Sequence, residues 1–298
     1  MRFFKISRTG LFISSFSLFL SCGGDKELPV ALYYEYDQNL PLLDSVHQLA
    51  DSTAFKLFYL TYQSVHDKKV TALLSLPGQG EQPYPTIILM HGLGDRKTVD
   101  YIEAGEHYLL NAGYAVLRLD ISNHGDRFKY AYDFDLTEGY RYWTRDLITQ
   151  TVFDLRRAVD FIQTREELDP GRIGYFGISL GGIIGTIFCS VEKRVGVPVI
   201  VLAGGQLNLM FGKDAFSGDT KDFLSIIDPI NYVAKISPRP LLMINAEKDD
   251  VVPPLTSKLL YKAAKKPKEI IWHPSGHHNL PVEKAYPEGI QWFDQHLK

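Results

Sequence analysis

From residue 55 onward, apolar residues gather into short, nearly uninterrupted runs separated by amphipathic stretches. Phe55 to Tyr62 and Val70 to Leu76 are rich in β-branched and aromatic residues and flank the polar turn His66-Asp67-Lys68-Lys69, the pattern of an antiparallel hairpin. Thr86 to Met90, Val116 to Leu119, Ile173 to Phe176, Val197 to Leu202, Leu241 to Ile244 and Glu269 to Trp272 then repeat a short strand type. Runs with no polar face suit strands covered on both sides. Between them, Leu147, Ile148, Thr151, Val152, Leu155, Val159 and Ile162 make one apolar stripe while Asp146, Arg156 and Arg157 face away, which predicts a covering helix. Further helices are predicted at about residues 99–111, 180–190, 254–265 and 282–297. A hairpin followed by alternating strands and helices implies an α/β fold, with a mostly parallel central sheet of about eight strands flanked by helices.

The N-terminal stretch follows a different pattern. Arg2, Lys5 and Arg8 precede an apolar run from Leu11 to Leu20, too short for a comfortable permanent span, which stops at Ser21-Cys22-Gly23-Gly24. This pattern predicts an export signal over residues 1–21. Phe19-Leu20-Ser21-Cys22 resembles a bacterial lipobox, with Phe19 where leucine is usual, and so implies an exported protein of the cell envelope anchored through lipid on Cys22. The alternative is a plain secretory signal. Residues 22–52 read as a linker or short cap segment and 53–298 as one catalytic domain, since α/β folds of this size commonly stay undivided.

Composition narrows the partners. Apolar residues at 45%, charged residues at 22% and a net charge of -3 describe an ordinary globular protein with no stripe of basic residues, so no nucleic-acid partner is expected. Cys22 and Cys189 are the only cysteines, and an acylated Cys22 would leave no disulfide partner. Cys189, after Ile187 and Phe188, reads as a small buried hydrophobe.

Gly177-Ile178-Ser179-Leu180-Gly181 fits G-x-S-x-G, which ordinary glycine and serine usage produces by chance in about one chain of this length in ten. Its context gives it force. The strand Ile173 to Phe176 runs straight into it, and Leu180, Ile183, Ile184, Ile187 and Phe188 follow at helical spacing. Strand, tight turn and helix are what a nucleophile elbow requires. A serine hydroxyl needs a histidine to take its proton and a carboxylate to hold that histidine. The final third supplies both, after consecutive strands. Asn245-Ala246-Glu247-Lys248-Asp249-Asp250 follows one, and His273-Pro274-Ser275-Gly276-His277-His278 follows the next. His273, His277 and His278 with Asp249 could also be drawn as metal ligands. Their spacing lacks the regularity of a zinc site, and neither a metal nor a cofactor is expected.

These segments resemble the α/β-hydrolase superfamily. Ala246-x-x-Asp249-x-Val251-Val252-Pro253 is similar to its acid loop, which assigns the acid to Asp249, with Asp250 as the neighbouring alternative and Asp228 the next. Ser275-Gly276-His277 is similar to its terminal histidine loop and implies His277 as base, with His278 and His273 as second choices. The family places an oxyanion donor after the strand Thr86 to Met90, where His91-Gly92-Leu93-Gly94 stands, so the backbone N–H groups of Leu93 and Leu180 are the implied pair and His91 the brace of the turn. The segments "DISNHGDR" and "VDFIQTREELDPGRIGYFGISLGG" look most like the dienelactone hydrolase and acetyl xylan esterase-like branches, shared in part with prolyl oligopeptidase catalytic domains. Dienelactone hydrolases proper carry cysteine where this chain has Ser179, which favours an ordinary ester.

The resulting expectation is a serine esterase acting through an acyl-enzyme on a small-molecule ester. A peptidase like the prolyl oligopeptidases and a catalytically silent lipoprotein binding module are the competing readings. Tyr130 to Trp143 and Gly205 to Phe223, the latter a candidate small cap, are the stretches expected near the substrate, with Arg96, Arg127 and Arg141 as candidate contacts to an anionic one.

Overall fold

β-branched and aliphatic runs that offer no polar face become strands sealed by helices on both sides, and the chain has enough of them for a large twisted sheet. The computed structural model describes residues 30–131, 133–136, 139–210 and 222–297. The predicted export signal and Cys22 therefore lie outside the described residues, as do 211–221, the middle of the candidate cap.

Nine strands form one sheet: β1 (Ser45–Asp51), β2 (Phe55–Gln63), β3 (Lys69–Pro77), β4 (Tyr84–Met90), β5 (Ala115–Leu119), β6 (Leu168–Ile178), β7 (Val195–Val201), β8 (Leu241–Ala246) and β9 (Lys268–His273), in the order β1-β2-β3-β5-β4-β6-β7-β8-β9. The first three strands and the β3–β5 pair are antiparallel, and every pair from β5 to β9 is parallel. This is the α/β architecture expected, with one strand more. β1 falls in the stretch read as linker or cap. Its sequence Ser-Val-His-Gln-Leu-Ala-Asp has no apolar face, all seven residues are exposed, and it adheres to β2 through backbone pairing, with a register shift between Gln48 and Ala50, helped only by a Ser45–Thr61 hydroxyl bond at 3.1 Å and an exposed Asp51–Lys56 pair at 3.8 Å. A polar, irregular edge protects a sheet from pairing with other chains.

Among the described residues, five helices with full bounds cover the sheet: α1 (Asp100–Asn111), α2 (Arg141–Gln163), α3 (Leu180–Val191), α4 (Pro254–Ala263) and α5 (Val282–His296). None of the described helices is long and apolar enough to cross a membrane. The period-two geometry of the strands divides the interior into two cores. On β4, Ile88 and Met90 join the core under α2, α3 and α4, whereas Ile87 and Leu89 join the one under α1 and α5. The chain leaves β4 through α1 toward β5 on one side and leaves β6 through α3 toward β7 on the other. β4 and β6 are neighbours, so their carboxyl ends flank a topological switch point, where open α/β sheets form their binding crevice.

The residues ahead of β1 form a strap across α2. Tyr34 is fully buried and its hydroxyl donates to the Ile226 carbonyl at 3.0 Å. Arg156 bonds the Tyr34 carbonyl, Tyr36 donates to Asp160 at 2.7 Å, and Arg157 reaches the Leu40 carbonyl at 2.7 Å while pairing with Asp160 at 2.6 Å. Arg165 pairs with Asp44. Buried guanidinium groups are tolerated because each one is paired and hydrogen-bonded. Replacing Tyr34 by alanine should cost about 3–5 kcal/mol, as other buried aromatic deletions do, and Tyr34→Phe only about 1 kcal/mol for the lost hydrogen bond. Urea unfolding checks this, and equal midpoints for Tyr34→Ala and wild type would show that the strap adds nothing to the fold.

Candidate active site

The end of β6 and the start of α3 make a turn with one residue between them. Ser179 sits there at φ 56° and ψ −119°, a backbone conformation that non-glycine residues adopt at a cost of about 1–3 kcal/mol. It is held by bonds on both sides, from its own N–H to the Val201 carbonyl at 2.9 Å and from the Ile183 N–H to its carbonyl at 2.9 Å. The flanking glycines leave room for this. A Cβ on Gly177 would lie 2.5 Å from the Gly181 carbonyl oxygen, and one on Gly181 would lie 2.5 Å from the His91 carbonyl oxygen. The G-x-S-x-G spacing is thus a packing requirement, with β6, α3 and the end of β4 in backbone contact.

The loops after β8 and β9 bring up a carboxylate and an imidazole. They are bonded to each other, Glu247 N–H to the His273 carbonyl at 2.8 Å and Lys248 N–H to the Ser275 carbonyl at 2.9 Å. Asp249 Oδ1 accepts from the N–H groups of Val251 at 2.9 Å and Val252 at 2.7 Å, which fixes the carboxylate. His277 Nδ1 lies 2.8 Å from Asp249 Oδ2, and His277 Nε2 lies 2.9 Å from Ser179 Oγ. With Nδ1–H donating to the carboxylate, Nε2 is left as the acceptor of the serine proton. Asp249 and His277 are both buried.

The second choices lie out of this line. Asp250 and His278 are exposed, and His273 pairs with Glu288 at 3.0 Å. Asp228 accepts from the N–H groups of Gln206, Leu207 and Ile230, organising the loop after β7, while burial pushes its pKa up. Among the described residues no group of three or more His, Cys, Asp or Glu side chains is arranged to hold a metal ion.

Above the serine runs the turn after β4. The position a Cβ would take on Gly92 is 3.3 Å from Ser179 Cβ. The Gly92 N–H donates to the Tyr101 hydroxyl at 2.8 Å, and that hydroxyl donates to Asp95 at 2.7 Å. The Leu93 N–H makes no hydrogen bond among the described residues, and the Leu180 N–H, at the first position of α3, has no acceptor within its own helix. His91 Nδ1 donates to the Gly92 carbonyl at 2.7 Å and its Nε2 accepts the Ile121 N–H at 3.1 Å, a pairing that needs the neutral ring. Burial pushes its pKa down to about 4.

Several supporting residues escaped the sequence reading. Tyr101 lies on α1, and the buried pair of Lys97 and Asp120, 2.5 Å apart, ties the β4 turn to the loop after β5. An aspartate directly after the apolar strand Val116 to Leu119 was the available signal for Asp120. Of the three arginines proposed as substrate contacts, Arg96 lines a cavity of about 790 Å³ beside Leu93 and Gly94, together with Phe128, Tyr130 and Phe134. Arg127 is instead buried and paired with Asp154 at 2.6 Å, a structural role. Arg141 stacks over Tyr142.

A nucleophile elbow at the switch point of a mostly parallel sheet, with an acid and a histidine on the last two strand loops, defines an α/β-hydrolase fold. Residues 37–201 match the acetyl xylan esterase (AXE1) family, and the chain belongs to that family. It is 29% identical over 126 residues to the uncharacterized protein YfhR of Escherichia coli O157:H7, covering 42% of this chain and 44% of that one. It therefore spans less than half the length of the first curated relatives it matches. Esterase YjfP of Escherichia coli (strain K12) is 25% identical over 239 residues, 74% of this chain and 92% of that one. The crystal structure of acetyl xylan esterase 1 from Thermoanaerobacterium sp. JW/SL YS485 superposes with a TM-score of 0.73 at 18% identity, covering 89% of this chain and 90% of that one, a likeness of fold.

Among the carboxylates of its loop, Asp249 is the one bonded to the histidine that reaches Ser179. Asp249→Asn should slow labelling of Ser179 by a fluorophosphonate by several orders of magnitude, in line with the roughly 10⁴-fold effect of unseating such a histidine. Asp250→Asn should leave the labelling rate within about threefold, as expected of an exposed side chain outside the site. Reversed effects would mean that the acid is Asp250.

Proposed function

We propose that this chain hydrolyses carboxylic esters of small alcohols or sugars through an acyl-enzyme, with Ser179 as nucleophile, His277 as general base and Asp249 orienting the histidine. The observation that carries this is the unbroken line of hydrogen bonds from Asp249 through His277 to Ser179, next to two unengaged backbone N–H groups. Membership of the acetyl xylan esterase family and the likeness to proteins named as esterases support ester over amide. The acetyl group in the family's name points to short acyl groups.

In the first half-reaction, Ser179 Oγ bonds the ester carbonyl carbon while its proton passes to His277 Nε2. The negative charge on the carbonyl oxygen is received by the N–H groups of Leu93 and Leu180, whose loss typically costs a hundredfold or more per donor. The carbon–oxygen bond to the alcohol then breaks, and the alcohol leaves with the proton from His277. In the second, a water gives a proton to His277 and bonds the acyl carbon, the Ser179 ester bond breaks, and the carboxylic acid departs as Ser179 recovers its proton. Asp249 holds the Nδ1–H tautomer throughout and stabilises the transient imidazolium.

With the purified protein, short-chain aryl esters and acetylated sugars should be turned over much faster than peptide amides. Ser179→Ala should lower ester turnover by roughly three orders of magnitude or more and abolish fluorophosphonate labelling, while the fold persists, since only one partly buried hydroxyl is removed from a strained turn. Labelling with preferential amide cleavage would make the protein a peptidase. A folded chain that neither labels nor hydrolyses esters would make it a silent binding module.

We also propose, from the signal-like N-terminus and Cys22, that the protein is exported and held at a bacterial membrane by lipid on that cysteine. In a bacterial host it should fractionate with membranes, and Cys22→Ser should release it. Unprocessed protein in the cytoplasm of the wild-type strain would rule this out.

A further inference from the structure

The turn that carries Leu93 is gripped at both ends by side chains that accept backbone N–H groups. At Gly92 the acceptor is the Tyr101 hydroxyl. At Gly94 it is His124 Nε2, at 2.9 Å, while the Nδ1 of the same ring lies 3.0 Å from the Ser122 carbonyl. A carbonyl can only accept, so Nδ1 carries the proton and Nε2 carries a lone pair. The two grips flank Leu93 in sequence and absorb the N–H groups on either side of it, which leaves the Leu93 N–H, of the three, without a partner among the described residues. An amide held one residue away on each side cannot rotate out of position without breaking one of these bonds.

We propose that His124 is a positioning residue of the oxyanion hole, which by accepting the Gly94 N–H with its neutral ring holds the Leu93 N–H on the developing oxyanion. This inference rests on the esterase reading above. A protonated His124 would place an Nε2–H against the Gly94 N–H, two donors facing each other, and the grip would be lost. The surroundings oppose protonation. The imidazole is buried, and burial lowers its pKa. From the β4 turn it faces the ring of His91, with centroids 5.6 Å apart, and Asp95, whose carboxylate is taken by Tyr101. From the loop after β5 it faces Asp120, Asp126 and Arg127. Asp120 and Asp126 share Lys97 at 2.5 and 2.6 Å, and Arg127 pairs with Asp154. Asp95, Asp120, Asp126 and Arg127 are thus each already engaged, and Arg96 and Asp133 line the cavity that the ring also lines. Burial lowers the ring's pKa and outweighs the charges of Asp120 and Asp95, which favour an imidazolium.

Two variants separate positioning from packing. In His124→Gln the side-chain oxygen can take the place of Nε2 and accept the Gly94 N–H, but it cannot titrate. In His124→Leu the volume is kept and the acceptor is lost. Steady-state hydrolysis of a short-chain aryl ester should show kcat and kcat/KM of His124→Leu falling together by about ten- to a hundredfold, the signature of an interaction made only in the transition state. His124→Gln should stay within about threefold of wild type, since it restores the acceptor. The acid limb of the wild-type kcat profile should steepen from a one-proton to a two-proton slope, and in His124→Gln it should keep the one-proton slope of a single catalytic base. Equal losses in both variants, an unimpaired His124→Leu, or an acid limb unchanged in His124→Gln would each overturn the inference. If His124→Leu does not fold, the acid limb of His124→Gln decides alone. A wild type that hydrolyses no ester would overturn the esterase reading and this inference together, whereas an active wild type with unresponsive variants would overturn this inference only.

Discussion

Ser179 is held at a backbone angle that its side chain disfavours, and the packing needed to hold it there organises most of the neighbouring structure. The cost of that conformation is on the order of 1–3 kcal/mol, and it is offset only while α3 stays pressed against β6, β7 and the end of β4. Gly181 must approach the carbonyl of His91 too closely for a side chain, and the Val201 carbonyl must be where the Ser179 N–H points. β4, β6 and β7 therefore cannot move independently. Because β4 and β6 are the neighbours at which the strand order reverses, the same contacts that strain the serine also bring the Leu93 turn over it.

The wall of the site opposite His277 is unusually polar for a buried region. Lys97, Asp120, His91, His124, Tyr101 and Asp95 form a connected set of donors and acceptors with little solvent access to the first four. Such a set is not a strong source of stability, because desolvating the ion pair costs much of what its attraction returns. Its value lies in uniqueness. An apolar filling would let the Leu93 turn slide, whereas directional bonds that several members make to more than one partner hold it to one geometry.

How far the sequence could be read follows from the range over which each signal acts. Strands β2 to β9 and the five helices were legible because each carries its own apolar pattern. Ser179, Asp249 and His277, which lie in one hydrogen-bonded line, could be singled out because each stands in a short segment after a strand, through local context plus resemblance. β1 was not, since all seven of its residues are solvated and no apolar pattern marks it as a strand. Tyr101, His124 and Lys97 were missed for another reason. Each serves the β4 turn from a different part of the fold, and nothing in its own neighbours in sequence announces the partner. Arg127 was misread because a basic residue near a site looks the same in sequence whether it faces a ligand or, as here, Asp154.

The strap ahead of β1 imposes an order of events on the nascent chain. Tyr34 finds its acceptor at Ile226, and Arg156 and Arg157 of α2 bind carbonyls at Tyr34 and Leu40, so the earliest described residues have partners synthesised more than a hundred positions later. Contacts so distant in sequence form late, because the entropy of closing long loops is lost before their contacts are gained. The partners that clamp Tyr34, Tyr36 and Leu40 therefore do not exist until α2 and the stretch around Ile226 have been made, whereas Leu42, whose carbonyl accepts the Gln63 N–H at 2.6 Å, finds its partner as soon as β2 is complete. A folding route that finishes at the N-terminal end keeps that end available to whatever machinery handles the chain during synthesis, and clamps it only when the domain is complete.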